Sequence, residues 1–528
     1  MRDFDLPGRS PVMATGGMAA TSHPLATATA LTILREGGNA VDAAIAASAT
    51  LCVVEPHMTG IGGDCFAIVC EPDGTLHGLN GSGRAPKSAH LDWYLERGID
   101  TIKENSVHSI TCPGAVNAWE MLHQRFGACD FARLFADAVR HGREGFPVAP
   151  RVARDWKLLE GKLATDPGAS LHYLNGGVSP QSGEIFRAPA LADVMECIAL
   201  EGAQAFYKGA IADEIASTVQ MLGGFMTSED LANVSADWVE LISTRYRDHD
   251  VHEIPPNGQG ITALILLNLL AETRGAQEGP TSAERYHREI EMARLAYAVR
   301  DAHVSDPAHM KVQVERLLSQ QYTQALAGSF DPQQRNSSIR LPRLPASDTV
   351  YLSVVDRDLR AVSFINSVYD GFGSGIVTPK SGIALQNRGA CFTLETGHPN
   401  AIGGGKRPMH TIIPAMVTRN GQVSHSMGVM GGAYQPMGHA HVLSNMLDHG
   451  MDPQEALDNP RIFWGDEGDA LKAEAGIPDN VMDALSARGH AVSRGGLFGG
   501  GQIIHVDHER GVLTGGSDPR KDGHAAGF

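Results

Sequence analysis

Layered α and β structure is the fold class predicted by this 528-residue sequence, on three observations. Helix-patterned blocks dominate residues 113–240 and recur at 261–305. Short, β-branched apolar runs follow residue 349. No internal repeat, low-complexity tract or Gly/Ser linker separates the two kinds of segment, which argues for one layered body rather than a string of modules.

The elements follow in order. Residues 1–17 read as a loose leader. An alanine-rich helix from 24 ends at Gly37-Gly38-Asn39, where positive φ is needed, and a second runs over 40–53. Residues 66–70 and 75–80 alternate as a hairpin turned by Pro72-Asp73-Gly74. Helices are expected at 115–126, 131–144, 189–201 and 209–221, and a short one at 228–231 has Thr227 as its N-cap. A single strand is expected over 244–254, before the turn-rich Pro255-Pro256-Asn257-Gly258-Gln259-Gly260 and helices at 261–273 and 281–305. Residues 327–347 lack periodicity and read as an exposed, cuttable linker. Strands are then expected at 350–355, 361–365, 411–417 and 424–430, helices at 434–449 and 453–459, and further strands over 492–513.

Composition is that of a globular protein, 42% hydrophobic and 20% charged. A net charge of −17 disfavours nucleic acid and anionic membranes, because phosphate binding needs clustered Lys and Arg. The longest apolar run, 40–54, contains Asp42 and stops at Glu55-Pro56, too short to span a bilayer. The seven cysteines show no CxxC spacing and six lie in core-like runs, so buried free thiols in a reducing compartment are expected. No apolar stretch follows the first residues, and the expectation is a cytoplasmic chain. His439 and His441 are two apart on a helix and do not share a face, so no metal site and no cofactor are expected. GxSxG, HExxH and P-loop patterns are absent from the sequence.

The chemistry-bearing residues sit in and around the strand-rich part. Thr349 opens the run Thr349-Val350-Tyr351-Leu352. A threonine at a free N-terminus would carry its own base, since an α-amine titrates near about 8. Gly431-Gly432 could offer two backbone N–H groups to an oxyanion. Taken alone, Thr349 is an ordinary strand-edge threonine and Gly431-Gly432 an ordinary turn.

Their order, however, resembles the γ-glutamyltransferase family. So do Arg35-Glu-Gly-Gly-Asn-Ala-Val-Asp-Ala-Ala44, Thr111-Cys-Pro-Gly114, Phe206-Tyr-Lys-Gly209, Lys406-Arg-Pro408, Asn459-Pro-Arg461 and Ser517-Asp-Pro-Arg520, over about residues 13–528. The resemblance implies an α+β fold, the αββα four-layer sandwich of the N-terminal nucleophile hydrolases. It implies a proenzyme that cuts itself between Asp348 and Thr349 into a large subunit, 1–348, and a small one, 349–528, intertwined in one domain. It implies Thr349 as nucleophile, Ser367 bonded to it, and Gly431 and Gly432 as oxyanion donors. His410 and Thr411 stand where the family often has two serines that bind the substrate α-carboxylate.

Three positions depart from the family pattern. Cys391 replaces the aspartate that grips an α-amino group, Tyr369 replaces an asparagine, and Ser82 replaces the carboxylate-binding arginine. Arg84, two places on along an expected strand, and Arg388 are the two candidates to replace that arginine. The segment 392–406 is too short for the lid many relatives carry. The implied partner is a small-molecule amide, with homo-oligomerisation left open. The implied reaction is γ-glutamyl hydrolysis or transfer on glutathione-like compounds. Alternatives are hydrolysis of a small acid amide such as oxamate, acylase activity, or a non-catalytic binding protein that keeps the fold.

Overall fold

The computed structural model describes residues 8–273, 279–339, 348–465 and 469–528. Two seven-stranded sheets face each other. The first has the order His524–Gly527, Met18–Thr21, Asp348–Val355, Ala361–Tyr369, Asp64–Cys70, Leu76–Gly81, Asp237–Val239. The second runs Val12–Ala14, Val512–Ser517, Gly500–Asp507, Gln422–Met430, Ala415–Arg419, His249–Glu253, Ile242–Tyr246. All pairings within both are antiparallel.

Helices cover both outer faces. Pro24–Arg35 and Ala40–Val54 pack on the first sheet; Gly260–Glu272 and Gln435–Leu447 pack on the second. Every residue of Ala40–Val54 is buried, because its alanines let sheet and neighbouring helices approach on all sides. Asn39 and Asp42 cap it reciprocally. Between the sheets, Ser353 Oγ meets Ser426 Oγ at 2.7 Å and Tyr351 OH meets Ser363 Oγ at 2.8 Å. The Tyr351 ring fits there because Gly428 opposite has no Cβ to meet it. The architecture is therefore the αββα sandwich.

Several expectations need correction. Residues 12–14, within the expected loose leader, are a strand of the second sheet, and the strand 18–21 of the first sheet had no expectation; residues 1–7 lie outside the described part. The expected strand over 244–254 is a hairpin, reversed at Arg247, whose φ of 58° is held by a 2.5 Å bond from Nε to Asp448. Residues 411–414 are not strand. Their backbone bonds go to side chains instead: Ile412 N–H to His410 Nδ1, Ile413 N–H to Gln435 Oε1, and Thr411 O from Gln259 Nε2. Residues 131–135 are a 3₁₀ turn before the helix Ala136–Glu144.

The linker expectation holds only in part. Residues 327–339 are mostly exposed, yet Arg294 donates to Asn336 O and Ile339 O, and Asn336 N–H donates to Glu291. Residues 340–347 lie outside the described part. All seven cysteines are free. Cys52, Cys65, Cys70 and Cys112 are buried, Cys129 and Cys391 are partly buried, and Cys197 is exposed.

Candidate active site

Thr349 stands at an irregularity in the first sheet. Asp348 is opposite Tyr369 and Val350 opposite Asn366, so the partner strand carries one extra residue beside Thr349. Such a bulge re-aims side chains. Thr349 is fully buried, with Oγ1 3.1 Å from Ser367 Oγ. The Ser367 oxygen also accepts from the Tyr369 N–H at 2.8 Å. That bond closes a turn in which Tyr369 has φ 83°, a region costly for an aromatic residue and typical of functional loops.

Arg388 completes this corner from the 3₁₀ turn Arg388–Cys391. It is 0% exposed. Nη1 donates to Thr411 Oγ1 at 2.6 Å, Nη2 approaches Ser367 Oγ at 3.4 Å, and the guanidinium lies over the Tyr369 ring. Among the described residues no carboxylate lies within ion-pair distance of it, and Nε has no acceptor. A buried cation without a counter-charge is costly unless an anion completes it. Cys391 lies against the Tyr369 hydroxyl; burial first, then this thiol, pushes the phenol well above its ordinary range.

Gly431 and Gly432 turn the chain from the strand Gln422–Met430 into the 3₁₀ turn before helix Gln435–Leu447, with φ 120° and 56°. A Cβ on Gly431 would meet Gly499 Cα at 2.8 Å. Among the described residues neither N–H has an acceptor. The turn is braced from behind. Gln259 Nε2 donates to Gly432 O and Thr411 O, Arg300 Nη1 donates to Gln259 Oε1, and Tyr297 OH donates to Ala433 O.

His410 precedes residues 411–414, which are not strand. It is fully buried, its ring 4.9 Å from Phe66, with Nε2 3.0 Å from Asp64 Oδ2. Because Nδ1 accepts from Ile412 N–H, the proton sits on Nε2 and is donated to Asp64. Burial first, then Arg388, lowers His410 to about 3, so the ring is neutral. Asp64 Oδ1 accepts from Gly83 N–H, Gly114 N–H and Gln386 Nε2.

The structure thus brings Thr349, Ser367, Tyr369, Arg388, Cys391 and Thr411 into one connected cluster, with His410 next in chain to Thr411. Arg84 is apart. The strand ends at Gly81, so the two-residue rule does not carry from Ser82 to Arg84. Ser82 Oγ accepts from Asn257. Arg84, 41% exposed, reaches Asp237, Asp306 and Gly405 O. Asp64, Gln259, Arg300 and Tyr297 were not singled out from sequence. Only Gln259 carried a signal, its place in the Pro/Gly turn. Among the described residues no group of three or more His, Cys, Asp or Glu is arranged to hold a metal, and no helix is long and apolar enough to cross a membrane.

Comparison with known proteins agrees with this geometry. The family model described as Gamma-glutamyltranspeptidase matches residues 26–528. The Glutathione hydrolase-like YwrD proenzyme of Bacillus subtilis (strain 168) is 37% identical, covering 98% of this chain and 99% of the relative. The Oxamate amidohydrolase proenzyme of Klebsiella pneumoniae is 35% identical with the same coverage. Among solved structures, a cephalosporin acylase from Bacillus halodurans superposes with TM-score 0.93 at 41% identity, over 100% of this chain and 99% of that one.

Proposed function

The chain belongs to the gamma-glutamyltranspeptidase family, as an N-terminal nucleophile hydrolase, and from that premise we propose that Thr349 cuts it and then hydrolyses amides. In maturation Thr349 Oγ attacks the Asp348 carbonyl carbon, the C–N bond breaks, and the acyl group moves to oxygen. Water opens this ester, leaving Asp348 with a free carboxyl group and Thr349 with a free amine. In turnover the amine takes the hydroxyl proton while Oγ attacks the substrate carbonyl. Gly431 and Gly432 N–H groups hold the oxyanion. The leaving amine takes the proton, and water or an acceptor amine then releases the acyl group.

The observation that carries this reading is the buried contact of Thr349 Oγ1 with Ser367 Oγ, itself backed by Arg388. Intact mass under denaturing conditions tests it, with N-terminal sequencing of the pieces. Two fragments are expected, the smaller beginning Thr-Val-Tyr-Leu, and Thr349→Ala should stay whole. A Thr349→Ala chain that still matures would sink the assignment.

The acyl group is the monoamide side of a dicarboxylic acid, its free carboxylate bound by Arg388 and Thr411. This rests on the buried guanidinium with no carboxylate partner among the described residues. γ-Glutamyl and oxamyl groups both meet the requirement. Cys391, where an acid would grip an α-amino group, favours an acyl group without one. A thiol cannot supply that charge-assisted bond.

A further inference from the structure

A cavity of about 480 Å³ opens beside the oxyanion turn, with Met430 and Gly431 in its wall. Its other lining includes Met58. The next residue, Thr59, accepts from Asn366 Nδ2 at 2.7 Å, and Asn366 is the cross-strand partner of Val350. The cavity therefore sits at the Thr349 end of the sandwich, yet it contains none of the Ser367–Arg388–Thr411 corner.

Two features of its lining point to a ligand. One side is aromatic: Phe463 packs against Tyr434 and Trp464 at 5.0 Å each and against Phe498 at 5.7 Å. The charge is positive, in a chain whose net charge is −17. Arg151 and Arg154 share Asp155, but Lys472 and Lys521 have no carboxylate within ion-pair distance among the described residues. Lys521 is only 8% exposed, and its ammonium lies 3.7 Å from the Met58 sulfur, a weak acceptor. A mostly buried ammonium so placed lacks the strong acceptors that water would give it. The volume is that of a small-molecule site and far exceeds what departing ammonia needs.

We propose that this cavity receives the leaving half of the amide, and that Lys521 selects an amine carrying a carboxylate on an apolar or aromatic body. The proposal rests on the Thr349 reading for its place in the reaction. The acyl carboxylate then goes to Arg388 and the amine half to the aromatic wall, with the scissile carbonyl at the Gly431 turn between them.

The test is binding of two free amines to the purified full chain by calorimetry: 5-amino-2-nitrobenzoate and 4-nitroaniline, which differ by one carboxylate. The carboxylated amine should bind at least about tenfold more tightly. Lys521→Met should remove that preference and Lys521→Arg should keep it, while Trp464→Ala weakens both amines. Equal binding of the two amines to the unaltered protein overturns the proposal without any variant. So does a preference that survives Lys521→Met or follows Arg388→Met instead. Intact mass on the same sample reports self-cutting separately, so failure of the nucleophile reading and failure of this subsite are told apart.

Discussion

The guanidinium carbon of Arg388 lies 4.2 Å from the centre of the Tyr369 ring, and that ring is held there by a left-handed backbone. The stacking leaves both Nη atoms directed at hydroxyls, Thr411 Oγ1 and Ser367 Oγ, rather than at an acid. A substrate carboxylate would complete this cation at the point where Ser367, the neighbour of the proposed nucleophile Thr349, is held.

Replacing Arg388 should therefore change substrate choice more than stability. Arg388→Met is expected to lower kcat/KM for a glutaryl anilide by about a hundredfold, since losing one buried charge-assisted contact costs about 2–5 kcal/mol. A butyryl anilide, lacking the carboxylate, should lose little. Arg388→Lys should recover only part, because ammonium cannot reproduce the planar fork. The melting temperature should not fall sharply, because no buried carboxylate is left unpaired. Steady-state kinetics on the two anilides settle it, and an equal loss on both would contradict the assignment.

Gly431→Ala should disable the turn proposed to hold the oxyanion. The residue has φ 120° and an added Cβ would meet the Gly499 backbone, which cannot rotate away as a side chain could. Displacing one oxyanion donor costs about 10²–10³ in kcat. The expected result is a folded protein with at least about a hundredfold lower kcat and little change in KM, measured with any amide the unaltered enzyme accepts.

This corner was legible only through the family resemblance: Thr349 and Gly431-Gly432 read alone as a strand-edge threonine and a turn, Ser367 was marked by the family pattern, and Arg388 by the fit of a guanidinium to a carboxylate. What holds them was not. Asp64 meets His410 and Gln386 across more than three hundred residues, and Gln259 braces Thr411 and Gly432 from just ahead of the helix Gly260–Glu272. No periodicity encodes such contacts. Arg84 was misplaced for a local reason, the strand's end at Gly81. The strands 12–14 and 18–21 were missed because each is three or four residues long, below what alternation can mark.

Acid should destabilise the fold from near neutrality downward. Burial holds His23, His57, His410 and His490 at about 3, against 6.5 when unfolded. Between those values the unfolded chain binds more protons, so stability falls as pH drops below 6.5. Glu55 acts oppositely: burial raises it to about 7 from 4.5, so its contribution is full below 4.5 and is lost as pH rises through 7. Glu253, Asp356, Asp452, Asp458 and Asp522 are raised by burial as well and oppose the loss in the same sense. His141, His252, His425, His441 and His505 are lowered too, so histidines outnumber the raised carboxyls and the net is a loss of stability as pH drops below 6.5. Calorimetric melting from pH 8 to pH 4 should show this profile; a melting temperature flat down to pH 5 would contradict it.

Cys391→Asp discriminates between acyl groups with and without an α-amine. Cys391 sits beside the Tyr369 hydroxyl and is partly exposed, so a carboxylate there reaches the same corner as Arg388 without being sealed in. It could grip an ammonium, adding about 1.5–3 kcal/mol for a hydrogen bond to a charged group. The expected outcome is that the ratio of kcat/KM for a γ-glutamyl anilide to that for a glutaryl anilide rises by about tenfold or more. Cys391→Asn, isosteric but neutral, should raise it far less, which separates charge from shape. If Cys391→Asp instead lowers activity on both anilides equally, the new carboxylate has paired with Arg388. In that case position 391 faces the carboxylate clamp rather than the place where an amino group would lie.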